Sequence, residues 1–224
     1  MTAASKLLQQ ETARAAAYRQ LAEAFRPPSP ALPDVLGETA SALALLASSA
    51  GSDAARLAAD RYSEEILHTI TIDHAALFVG PFHVPAPPYG SVYLEDKRQL
   101  MGASTMDVRQ HYLSIGLDLS PDFKEAPDHL CAELEFMHVL VHQTLAAVEA
   151  GDRELLAANV RQQRTFLEKH LGAWVPAFAD KVAEHARTDF YRLLASVLRI
   201  FVAEDREALP DLPVDHAAPA PAGA

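Results

Sequence analysis

Glu125-Ala126-Pro127-Asp128-His129-Leu130-Cys131-Ala132-Glu133-Leu134-Glu135-Phe136-Met137 reads as the entrance of a long helix. Behind it Leu130, Leu134, Met137, Val141, Leu145 and Val148 recur at helical spacing as far as Gly151, so the pattern predicts a helix over 127–150. Pro127 suits a first helical turn, where its missing N–H costs nothing. Glu125 and Asp128 place negative charge where unpaired amides and the helix dipole favour it. His129 beside them adds a group that ordinarily titrates near neutral pH. A well-capped helix with a surface histidine accounts for these residues. The second acid and the adjacent histidine leave a functional reading open.

Outward from this segment the same periodicity fills most of the chain. Half of the 224 residues are hydrophobic and glycine is sparse, which favours helix over sheet. Leu8, Ala15, Tyr18, Ala22 and Phe25 predict a first helix, ended by Pro27-Pro28-Ser29-Pro30. A second is predicted over 34–50, with Gly51 as its stop. A third reaches Val79, and the β-branched cluster Thr69 to Asp73 is the expected place for an interruption. Ser104 is expected to cap a short helix closed by Gly116. Asp152 is expected to start another reaching Leu171, and the stripes Trp174-Phe178-Val182 and Phe190-Leu194-Val197-Phe201 give the last two. The expectation is an all-α, single-domain bundle of roughly eight helices over 1–206, followed by a disordered Pro/Ala-rich tail over 207–224.

One segment departs from the pattern. Gly80 to Leu94 carries four prolines, two glycines and three aromatics, which predicts a non-helical and unusually apolar loop. Such a loop is either packed down on the surface or lines a binding site.

The formal net charge of −11 argues against nucleic acid and anionic membrane as partners and favours a basic peptide. Cys131 is the only cysteine, which excludes an intrachain disulfide and a Cys-x-x-Cys site. No secretory apolar core opens the chain and no apolar run would span a bilayer, so a cytoplasmic protein without stable membrane insertion is expected. Glu65-Ile66-Leu67-His68 and Glu135-Phe136-Met137-His138 are both Glu-x-x-His, the spacing of di-iron carboxylate bundles, with His142 one turn beyond. They make a metal-dependent helical-bundle oxidoreductase the alternative reading. Gly-x-Ser-x-Gly and phosphate-binding glycine loops are absent, so a binding protein without turnover is expected, with neither cofactor nor metal.

Taken together the unusual segments carry a resemblance. Leu77-Phe78-Val79-Gly80-Pro81, followed by Ala86-Pro87-Pro88-Tyr89-Gly90-Ser91-Val92-Tyr93-Leu94, resembles the Leu-Phe-x-Gly-Pro and Ala-Pro-Pro-Trp-Gly-Ser-Val-Tyr signature of the TorD/DmsD, or NarJ-like, redox enzyme maturation chaperones. Gly102-Ala103-Ser104-Thr105 with Arg109, then Glu125 to His129 with Leu134-Glu135-Phe136-Met137, are similar to that family's next motifs. His170-Leu171 with Trp174 and Phe178, and Asp189-Phe190-Tyr191, resemble its closing helices. Tyr89 stands where the DmsD branch has tryptophan, and Ala126 where the family has proline, which leaves the client open.

The resemblance implies a cytoplasmic chaperone for the apo-form of a molybdenum-cofactor oxidoreductase of the dimethyl sulfoxide reductase type. It would bind the twin-arginine leader or N-terminal segment of the catalytic subunit until the cofactor is inserted, as a monomer or a domain-exchanged dimer. A basic-plus-apolar leader needs carboxylates beside an apolar groove. Glu125, Asp128 and Glu133 are the expected acids, with Pro127 and His129 beside them. Phe82, Pro87, Pro88, Tyr89, Gly90, Ser91 and Tyr93 are the expected loop wall.

Overall fold

Alanine- and leucine-rich amphipathic segments can bury their apolar stripes only against one another, and the chain does so throughout. The computed structural model describes residues 3–60, 62, 64–80, 84–95 and 101–209, with backbone alone at 3, 4, 64 and 65. Its helices are α1 (Ala3–Ala24), α2 (Leu32–Leu45), α3 (Ser49–Asp60), α4 (Glu64–His74), α5 (Gly90–Leu94), α6 (Ala103–Ser114), α7 (Leu130–Ala150), α8 (Arg153–Lys169), α9 (Leu171–His185) and α10 (Asp189–Ala208). A π-helical turn, Ala75–Val79, extends α4. The fold is all-α. Among the described residues the sole β-type pairing is an isolated antiparallel bridge between Tyr89 and His129.

α1 lies between α2 and α7. α10 packs on α3 and α9, and α8 closes the ring by touching α7 and α9. The centre is aromatic: Tyr18 meets Phe201 edge-on at 4.7 Å, and Phe78 stacks on Phe178 at 5.9 Å. One polar knot penetrates this core. Arg14 donates to both carboxylate oxygens of Glu11 (2.8 and 2.7 Å), to Asp205 (2.5 and 3.0 Å) and to Gln163 (2.8 Å), and Tyr18 donates to Asp205 (2.6 Å). All five side chains are buried. The many charge-assisted bonds offset the cost of desolvating three charges, and they tie α1 to α8 and α10.

Several boundaries differ from the sequence expectation. The second helix ends at Leu45 because Ala47 turns left-handed (φ 61°). Gly51 is inside α3 rather than a stop, and a Cβ there would lie 2.7 Å from Ser48 Oγ and 3.6 Å from Ile200 on α10, so the glycine permits close helix approach. The break in the third stretch falls between Asp60 and Glu64, not at Thr69 to Asp73. Asp73 is instead a buried cap for α10, accepting the Thr188 N–H (2.8 Å) and Oγ–H (2.6 Å) and the Arg187 N–H. Ser104 does not cap α6. Its N–H and hydroxyl both donate to Glu95 Oε1, at 2.9 and 2.6 Å. The expected loop over 80–94 ends early, because Gly90 to Leu94 form α5. The last helix runs to Ala208 and Leu209 is buried. The rest of the expected tail, 210–224, lies outside the described residues.

Candidate functional site

The pairing of the proline loop with the chain before α7 decides the local geometry. Pro87 and Pro88 have no N–H, so the loop presents the Pro88 carbonyl, which accepts the Leu130 N–H at 2.9 Å. The Gly90 N–H returns to the Asp128 carbonyl at 2.9 Å. The Asp128 carboxylate then accepts the Ser91 N–H at 2.7 Å. Asp128 therefore caps α5, across the chain, and not the helix it precedes. α7 begins at Leu130, not at Pro127. His129 is its N-cap, with Nδ1 accepting the Cys131 N–H at 3.2 Å. Pro127 is buried and its carbonyl accepts the Tyr112 hydroxyl at 2.8 Å.

Beneath this junction lies Glu133, wholly buried. Its Oε2 accepts the Trp174 indole N–H at 3.0 Å. Burial pushes its carboxyl well above the usual carboxylate range; the Trp174 bond opposes this and the Asp128 charge adds to it. Burial therefore favours the protonated, uncharged form of this side chain. Gly90 sits over it, where a Cβ would meet Trp174 Nε1 at 3.0 Å and Glu133 Oε1 at 3.2 Å. Tyr93 turns inward and stacks on Trp174, with ring centres 5.6 Å apart.

Above the junction a cleft of about 700 Å³ opens. Its walls are the turn after α1 (Phe25, Arg26, Pro27), the π turn (Phe78, Val79), Pro88-Tyr89, the connection from Leu117 to Glu125, and the first turns of α7. Val79 is 64% exposed. The Tyr89 hydroxyl donates to Glu125 at 2.5 Å, and burial together with that bond pushes the phenol up. His129 is held between Tyr89 (5.2 Å) and Phe123 (5.8 Å). Burial pushes its imidazole down to about 4, against the opposing pull of Glu125 and Asp128. It is a neutral capping group at pH 7 and not a near-neutral titrating one. Asp118, Asp122, Glu125 and Glu135 line the cleft against Arg26 and Lys124, so its rim is net acidic. Arg26 bridges to Glu135 and to Glu23, and Asp118 to Arg109 at 2.9 Å.

Of the residues picked from sequence, Pro88, Tyr89, Glu125 and His129 line this cleft. Asp128, Glu133, Gly90 and Ser91 are buried beneath it, and Pro87 and Tyr93 do not line it. Phe82 lies outside the described residues. Among the described residues the Glu-x-x-His side chains do not assemble. His138 Nδ1 is bonded to the Ala15 carbonyl at 2.9 Å, Glu135 pairs with Arg26, and His68 is exposed on α4. The Glu65 side chain lies outside the described residues. Sequence reading missed the Phe25-Arg26-Pro27 corner and the wall at Leu117 to Phe123. The second has a signal: Leu117, Leu119 and Phe123 are spaced apolar residues in an otherwise polar, proline-containing connection.

Residues 12–180 match the family model of the nitrate reductase delta subunit. The chain is 35% identical over 145 residues to the chaperone protein TorD of Psychrobacter sp. (strain PRwf-1), covering 64% of this chain and 63% of that one. It is 34% identical over 130 residues to the Tat proofreading chaperone DmsD of Salmonella typhi, covering 57% and 56%. The aligned stretch thus spans less than two thirds of either relative. A solved structure of a candidate redox enzyme maturation protein from Archaeoglobus fulgidus superposes with a TM-score of 0.54 over 84% of this chain and 93% of that one, at 21% identity, which shows a shared fold. Among the described residues no helix is long and apolar enough to cross a membrane.

Proposed function

The chain belongs to the nitrate reductase delta subunit family, and from that premise we propose that it is a cytoplasmic chaperone of redox enzyme maturation. It binds the twin-arginine leader, or N-terminal segment, of a molybdenum-cofactor oxidoreductase of the dimethyl sulfoxide reductase type before cofactor insertion and export. It is a binding protein without turnover. The observation that supports this most is the cleft itself, in which an apolar wall built from Phe25, Phe78, Val79 and Phe123 meets an acidic rim at Glu125 and Glu135. A leader joining two arginines to an apolar stretch is complementary to both halves. Its guanidiniums can take Glu125 and Glu135 bidentately, the second by displacing Arg26.

Asp128 and Glu133 have a different part in this reading. Asp128 holds α5 beside the Tyr89–His129 bridge, and Glu133 ties α7 to Trp174 on α9, so together they position the wall from below. Peptide titration of a Glu125→Gln/Glu135→Gln variant tests the assignment, since both residues are exposed. Losing two charge-assisted contacts is expected to weaken leader binding by about tenfold or more, with a shallower salt dependence. Unchanged affinity and salt dependence in the folded variant would remove the cleft from consideration.

A further inference from the structure

Away from the cleft, we propose that Asp107, His111 and His170 form a binding site for one Zn2+ ion. Asp107 and His111 are four residues apart on α6, which places them on one face of the helix. His170 comes from the corner between α8 and α9. One ligand atom from each lies within 4.8 Å of the others. Tetrahedral zinc with bonds of about 2.0–2.2 Å holds its ligand atoms roughly 3.4 Å apart, so the cluster needs to contract by about an ångström. Asp107 and His170 Nε2 are already 2.9 Å apart, so the contraction falls between the half-buried His111 and the 54% exposed Asp107 side chain, while His170 is 3% exposed and fixed.

The surroundings suit the ion. Phe166 packs on both imidazoles, at 5.5 Å from His111 and 5.1 Å from His170, and gives the two rings a rigid apolar backing. The rings themselves meet edge to face at 5.3 Å. His170 Nε2 is hydrogen-bonded to Asp107 at 2.9 Å, but its Nδ1 is buried with no hydrogen-bond partner among the described residues. Nε2 is thus the nitrogen that faces Asp107 and would take the ion, while Nδ1 lies on the opposite side of the ring. Two imidazoles and one carboxylate select borderline ions such as zinc over magnesium or calcium and leave a fourth position for water or a further donor. Lys169 is close enough to act on both rings and opposes the bound charge. Neither Glu-x-x-His motif takes part, and none of the three ligands lines the cleft.

Chelator-treated full-length protein titrated with Zn2+ by calorimetry is expected to bind one equivalent saturably. Asp107→Asn and His111→Ala are each expected to weaken binding by about tenfold or more, as removal of a metal-supporting group does. His68→Ala, on the distant α4, is expected to leave it unchanged. Circular dichroism establishes that each variant is folded, and Co2+ in place of zinc is expected to give a visible absorption that His111→Ala abolishes. Absence of saturable binding, or wild-type affinity retained in the Asp107→Asn and His111→Ala variants, would overturn the site.

Discussion

Glu133 offers the sharpest test of how the site is built, because its role depends on its being uncharged. Glu133→Gln keeps an oxygen for the Trp174 N–H, bonded at 3.0 Å, and removes only a titration that burial has already suppressed. The expected cost is within about 1 kcal/mol. Glu133→Ala leaves the indole N–H without a partner, at about 1–3 kcal/mol. It also removes one buried methylene, at roughly 0.8 kcal/mol, together with the carboxyl it carries. The sum is about 3 kcal/mol, or a fall in Tm of roughly 6–12 °C for a chain of this size. Trp174 is the only tryptophan, so denaturant unfolding followed by its fluorescence reads the contact directly. A carboxyl whose folded pKa is raised holds its proton in the folded state. Its stabilising effect is full below the unfolded pKa and is lost as pH rises through the folded one. The glutamine variant is therefore expected to gain on the wild type as the solution is made alkaline. Equal damage from glutamine and alanine would refute the neutral-acid account and restore a charged Glu133.

Other consequences concern separate features. His129, lowered from 6.5 to about 4, favours the folded state only while neutral, so stability is full above pH 6.5 and lost as pH falls toward 4, by up to about 3 kcal/mol. Histidine NMR titration is expected to show this ring neutral at pH 5, and His129→Asn, which keeps a capping acceptor, to flatten that limb of the stability curve. Arg14→Met leaves Glu11 and Asp205 buried without their cation and is expected to cost about 3–5 kcal/mol in chemical denaturation. Cys131 is 2% exposed and its thiol is pushed up to about 12, so a thiol reagent at pH 8 is expected to label it only after unfolding.

Much of the fold was legible because helical periodicity is a local signal that packing then reuses. The stripe from Leu130 to Val148 and the Gly151 stop, left-handed at φ 67°, are where the spacing places them. What the sequence hid are contacts between distant segments. Asp128 has the composition of a cap for the helix that follows, and nothing local shows that it reaches Ser91 instead. Glu133 looks like one more surface acid in a first turn, and only its complete burial, which no local pattern shows, drives it toward the uncharged form. Gly90 was read as a loop breaker, whereas it starts α5 and leaves room for both groups. The aromatic loop and the acidic segment do meet, through the Tyr89–His129 bridge, but the cleft they border draws half its wall from segments with no motif of their own. A joint replacement of Asp128 and His129 by alanine consequently disturbs the scaffold, and Glu125 and Glu135 are the residues that isolate binding.

Leader recognition, as proposed, stands or falls with the cleft accepting a basic-plus-apolar peptide. Calorimetric titration of the intact chain with a twin-arginine leader peptide, beside a scrambled peptide of equal composition and charge, tests it most directly. Saturable one-to-one binding of the leader is expected, at least about tenfold tighter than the scramble and weakening with salt. Equal affinity for the two peptides, or none for either, would contradict it.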